Sequence, residues 1–171
     1  MNRKEFEKYF ISFVPELYSF AFAIIPDDLQ AEQVVIDACM VATVQEKSLI
    51  NNILLMKNND DYSRKERMQK LRVRLYKYVY KVASKRFYQL EDGIKKTLGE
   101  DLSGKTRVLR LTTEERAILH LHKERILPID NLATILDLDE ESFCLKLNLA
   151  RNKLLKFMEQ ENPKLASEQL V

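Results

Sequence analysis

Apolar residues recur along this chain at spacings of three and four, and helices account for nearly all of the pattern. Phe6, Tyr9, Phe10, Phe13 and Leu17 keep helical spacing, with Pro15 marking a kink or break. Leu17 to Ile25 is almost continuously apolar and stops at Pro26-Asp27-Asp28. Asp28 is the expected cap of a helix from Leu29 to about Lys47, with Ala31, Val34, Val35, Ala38 and Met40 to Ala42 turned to the core. Asn58-Asn59-Asp60-Asp61 reads as a loop. A long helix then runs from about Ser63 to Leu90 on the stripe Leu71, Leu75, Tyr78, Val79 and Val82. Strict alternation of apolar and polar positions is absent, so the expected fold class is all-α.

Leu111 to Met158 reads as helix, helix, tight turn at Asp137-Leu138-Asp139, helix, the outline of a helix-turn-helix. All three glycines, Gly93, Gly99 and Gly104, lie between the two helical halves. Their clustering in polar sequence places a flexible linker at residues 91–107. The expected organisation is therefore a helical domain at 1–90, the linker, a helix-turn-helix domain at 108–160 and a tail at 161–171.

Charge sharpens this division. The net charge of +2 hides an acidic segment followed by a basic one. Asp27 to Asp61 holds seven acids against two lysines, whereas Arg64 to Tyr88 holds ten bases against one acid. Such asymmetry suggests two partners of opposite charge, or segments that pack partly on each other. On the long helix Arg67, Lys70, Arg74, Lys77, Lys81 and Lys85 share one flank, while Tyr76, Tyr80 and Phe87 share another. Cations attract phosphate and aromatic faces stack unpaired bases, so the helix suits single-stranded nucleic acid. A solvated basic face with tyrosines at the core rim is the plainer alternative.

Other chemistry is sparse. His120 and His122, two residues apart, point about 200° apart on a helix and do not form a metal pair, which leaves packing or surface roles. Phosphate-binding glycine loops, nucleophile elbows and CxxC pairs are missing. Catalysis and cofactors are therefore not expected. Cys39 and Cys144 read as buried free thiols. No apolar run reaches the ~20 residues of a membrane span, and the N-terminus lacks a signal-peptide core, so a cytoplasmic location without membrane contact is expected.

The ordered combination of parts resembles the small two-domain bacterial sigma factors of the extracytoplasmic-function type. The first half resembles their core-binding helices through Leu17-Tyr18, Ala21, Asp28, Ala31-Glu32, Val34-Val35 and Asp37. The last third resembles their −35-reading domain through Leu111, Glu115-Arg116, Leu119, Leu132-Ala133, Leu136, Ser142-Phe143 and Ala150-Arg151. The resemblance implies binding to RNA polymerase core at Glu32, Gln33 and Asp37. It implies promoter melting by Arg74, Lys77, Tyr80, Lys81 and Lys85, and duplex promoter DNA contacts by Lys146, Asn148 and Arg151. An anti-sigma factor is a further implied partner.

The departures are specific. Gln33 and Ile36 stand where the family often has an acid and a glutamine at the polymerase contact. Cys144, Leu145 and Leu149 stand where it tends to carry polar or basic DNA contacts. Leu111 to Met158 holds seven bases against eight acids, which is close to neutral for a DNA reader. Phe143, Leu145, Leu147 and Leu149 cannot all face one way on a helix, so at least one leucine lies outside the core. Two functions follow: a promoter-directing initiation protein, or a sigma-like interaction module that binds a protein partner without reading DNA.

Overall fold

The computed structural model describes residues 3–55, 61–98, 109–124 and 127–161, and every regular element among them is α-helical. The fold is all-α. In chain order the helices are α1 (Arg3–Ser12), α2 (Val14–Ile24), α3 (Asp28–Gln45), α4 (Lys47–Leu55), α5 (Asp61–Leu98), α6 (Thr113–Glu124), α7 (Ile129–Ile135) and α8 (Glu140–Glu161). None among the described residues is long and apolar enough to cross a membrane.

Local chemistry sets the boundaries. Pro15 sits in the first turn of α2, where its missing N–H costs nothing, but its ring would clash in a helix continued from α1, so the chain breaks at Phe13. Asp27, not Asp28, caps α3: its carboxylate accepts from the Gln30 N–H at 2.9 Å. Asp28 instead accepts from the Tyr18 hydroxyl at 2.6 Å, tying α2 to the start of α3 and raising the phenol above its ordinary pKa. Ala31, Val34, Val35, Ala38 and Ala42 are buried as expected, whereas Met40 is exposed. Met40 lies on the far side of the helix from Ala38 and Ala42.

Helix α5 has 38 residues and is therefore about 57 Å long at 1.5 Å per residue. It runs past the expected end at Leu90 and carries Gly93 within it at an exposed position, where an added Cβ would meet no clash. The first eight residues of the expected linker are thus helical. Residues 99–107, the remainder of that linker, lie outside the described residues, as do 58–60 of the expected loop and most of the 161–171 tail.

The helix-turn-helix is built from caps. Thr112 and Glu115 form a reciprocal box at the start of α6: the Glu115 N–H donates to Thr112 Oγ1 at 3.1 Å, and the Thr112 N–H to Glu115 Oε2 at 2.7 Å. α7 closes with the Leu138 N–H donating to the Ala133 carbonyl at 3.0 Å and the Asp137 N–H to the Thr134 carbonyl at 3.3 Å. That closure needs a left-handed residue, and Asp137 supplies it at φ 58°, a conformation aspartate tolerates better than most. Asp139 caps α8 through the Ser142 N–H at 2.7 Å, and this hydrogen bond holds its carboxyl below the usual carboxylate range.

The core is continuous. α2, α3 and α5 form the first bundle, and the helix-turn-helix docks on it through α6 against α2 and α7 against α5. At the junction the Phe20 ring lies 5.3 Å from Tyr76 of α5 and 5.6 Å from His120 of α6. Phe20 and Tyr76 are fully buried. Truncating Phe20→Ala should cost about 3–5 kcal/mol, read as a large drop in thermal midpoint.

Burial against Phe20 lowers the His120 pKa below its ordinary 6.5. The folded chain then binds fewer protons there than the unfolded chain, so this stabilisation is complete above pH 6.5 and is lost as pH falls through the folded value. The thermal midpoint should decline from about pH 6.5 downward, and His120→Phe should flatten that decline. An unchanged pH profile in the variant would show that His120 does not control it.

Candidate nucleic-acid interface

The flank of α5 expected to face nucleic acid is occupied. Lys77 pairs with the Asp137 carboxylate in the helix-turn-helix turn, and Lys81 reaches the other oxygen of the same carboxylate at 3.5 Å. The Lys77 hydrogen bond, with the charge of both lysines, holds the Asp137 carboxyl below the usual carboxylate range. Arg74 leans toward Glu46 at 3.9 Å and remains largely exposed, as does Lys85. Lys70 pairs with Glu66 on its own helix at 2.8 Å.

The aromatic flank is a packing surface. Tyr76 and Phe87 are buried and Tyr80 is half-buried, so the expected stacking platform for bases is absent from this conformation. Two elements produce this burial. α2 covers Tyr76, and α6 lays the Arg116 guanidinium over the Phe87 ring at 4.2 Å from its centre. Burial raises the Tyr80 phenol above its ordinary pKa. Burial, together with a hydrogen bond to Glu46 at 2.6 Å, pushes Tyr78 up to about 12.

Two acids of the acidic segment, Asp37 and Glu46, turn back on the basic helix, joined there by Glu16 of α2. Glu16 pairs with Arg72 and accepts from the Tyr76 hydroxyl at 3.3 Å, and Asp37 pairs with Arg86 at 2.7 Å. Of the expected polymerase contacts, Asp37 therefore has a structural use, and it also accepts from the Gln33 side chain at 2.8 Å. Glu32 and Gln33 are exposed. Beside them Leu29, Ile36, Met40 and Val44 are exposed as well, at helical spacing on the outer face of α3. That apolar stripe was unexpected except for Ile36; its period was present in the sequence, hidden among the other apolar residues of the helix.

The expected duplex contacts on α8 do not act as one basic face. Lys146 pairs with Glu114, Lys153 with Glu115 at 2.9 Å, and Arg151 lies 3.1 Å from His122 Nδ1. Asn148 is exposed and has no such partner among the described residues. Phe143, Leu147 and Ala150 fill the core, leaving Leu145 and Leu149 outside. Cys144 is exposed and Cys39 half-buried, which corrects the expectation of two buried thiols; burial raises the Cys39 thiol above its ordinary pKa. Cys144 follows Phe143 around the helix and leaves the core with Leu145.

Asp137 thus bridges the turn and the basic helix, and neutralising it should expose the two lysines. In Asp137→Asn the backbone tolerates the left-handed turn, but the charge is lost. Affinity for single-stranded DNA should rise several-fold at low salt and fall steeply as salt increases. The thermal midpoint should drop by only about 1–3 °C, because the pair is solvent-accessible. Unchanged DNA affinity would show that the contact does not mask the lysines.

Compared with known protein families and with curated proteins, the chain matches none.

Proposed function

We propose that this chain is a sigma-like transcription initiation protein that binds RNA polymerase core and directs it to promoter DNA, with the closed arrangement as its resting form. The observation that carries the reading is the outer face of α3. After the fold has satisfied the other faces of that helix, Leu29, Gln33, Ile36 and Met40 remain exposed beside Glu32. An apolar strip edged by acid suits a helical, basic protein surface. It lies on the segment whose resemblance to sigma factors implies the polymerase contact.

In this reading the DNA-facing parts work only after the helix-turn-helix leaves α5. Lys77 and Lys81 would then be released from Asp137, and Tyr80 would lose its cover. Arg74 and Lys85 are accessible already and can start the electrostatic approach. Asn148 of α8 would read a base edge, with Lys146 and Arg151 exchanging their intramolecular partners for DNA.

The α8 surface favours a second reading. Leu145 and Leu149 occupy its exposed face, while Lys146 and Arg151 are engaged within the domain. This supports a sigma-like interaction module that binds polymerase, an anti-sigma factor or another regulator without promoter reading.

The initiation reading places the polymerase contact on α3, and the two readings separate at transcription. Core polymerase should be retained by the immobilised chain, and Met40→Glu or Glu32→Lys should weaken retention at least tenfold without loss of helicity. Failure to retain core would remove the initiation reading. Retention without promoter-directed transcripts, even for Asp137→Asn, would leave the interaction module.

A further inference from the structure

We infer that the junction of α4, α5 and α7 is a binding site for a small ligand carrying linked phosphate groups. A cavity of about 500 Å³ opens there, walled by Leu49 of α4, by Lys70, Arg74 and Lys77 of α5, and by Asn131 of α7. That volume lies within the range of small-molecule pockets. The three cations follow steps of four and three, so they share one face of α5.

The cations are held unequally. Lys77 is paired with Asp137 of the turn and only 20% exposed, which fixes its position. Lys70 meets Glu66 on its own helix, and its side chain is 63% exposed. Arg74 leans on Glu46 through Nε at 3.9 Å, too far for a hydrogen bond, and is 57% exposed. Glu46 is the one acid in the wall, and its close hydrogen bond is the one it accepts from the Tyr78 hydroxyl at 2.6 Å. Glu66 and Asp137 lie beside the cavity, but their pairs are solvent-accessible and worth little against a phosphate of higher charge. On the opposite wall the Asn131 side-chain amide, which has no hydrogen-bond partner among the described residues, offers two further donors.

The spacing selects the ligand. Lys70 and Lys77 are about 10 Å apart along the helix axis. A row of that length suits a chain of phosphates better than a single one, and Arg74 presents its planar fork between them. The ligand must also be small, because α7 closes the side from which a DNA backbone would approach Lys77. Once bound it touches both halves of the chain and therefore stabilises their closed arrangement. The inference rests on the cavity alone and does not depend on polymerase or promoter binding.

Calorimetric titration of the full chain with inorganic tripolyphosphate tests it, in about 150 mM salt to screen diffuse surface attraction. One saturable site is expected, with orthophosphate binding at least tenfold more weakly and the thermal midpoint rising as the site fills. Arg74→Gln and Asn131→Asp should each weaken binding about tenfold or more. Aspartate suits the first turn of α7, so Asn131→Asp should keep the parent's circular dichroism. Lys85→Gln, two turns beyond Lys77 on the same helix, should bind as the parent does. Absence of a saturable site would overturn the inference. So would equal losses in Lys85→Gln and Arg74→Gln, which would mark diffuse attraction to the basic helix, or full affinity in Asn131→Asp, which would leave the ligand on α5 alone. A short single-stranded oligonucleotide that binds more tightly than tripolyphosphate and is lost in Asn131→Asp would give the cavity to nucleic acid and likewise overturn it.

Discussion

The arrangement depends on one junction, the docking of the helix-turn-helix onto α2 and α5. Phe20 lies between Tyr76 and His120, and Asp137 sits on Lys77 and Lys81. The two parts of this junction differ physically. The ring cluster removes apolar area from water and supplies most of the attraction, on the scale of about 25 cal/mol per Å². The ion pair is accessible to solvent and contributes little by itself. It fixes where the turn rests along α5, and therefore which cations are covered.

Ion pairs within the fold engage part of the ten bases in this helix segment, while Arg74 and Lys85 stay largely exposed. Glu16, Glu46 and Asp37 take Arg72, Arg74 and Arg86 from the side of α2 and α3. Asp137 takes two lysines from the other side. Such pairs are replaceable. Phosphate can substitute for a carboxylate at an exposed lysine at small net cost, whereas nothing replaces the burial around Phe20. Any opening of this junction would therefore turn on separating rings, with the charges following.

The helices themselves were legible in the sequence because caps and apolar spacing are local. Asp139 before Ser142, Thr112 before Glu115 and Pro15 after Phe13 each act within four residues, and the helix-turn-helix follows from them. What sequence alone misjudged depends on distant packing. Tyr76 and Phe87 have the composition of a stacking platform, and only the approach of α2 and α6 makes them core. Met40 sits among core residues in an apolar run where period alone does not separate the two faces. Composition places Gly93 in a linker, yet α5 continues through it; one glycine costs a helix about 1 kcal/mol, which a helix of this length absorbs. Of the candidate site, Glu32, Arg74, Lys85 and Asn148 are exposed. The intramolecular partners of Lys77, Lys146 and Arg151 come from 29 to 60 residues away and leave no local signal.

The near-neutral charge of the C-terminal part acquires a physical meaning from these contacts. Glu114 and Glu115 are at once the first turn of α6, where they suit the positive end of the helix, and the partners of Lys146 and Lys153. A domain that meets DNA through those lysines must desolvate the glutamates beside them, so each new phosphate contact is offset by a carboxylate brought near the backbone. Apolar contacts on Leu145 and Leu149 carry no such penalty, since neither side chain has a polar group to strip of water. The balance of charge and exposure on α8 therefore makes apolar contact there less costly than contact with phosphate. Any reading of DNA by this helix has to draw on attraction supplied elsewhere, and α5 is the element that holds it.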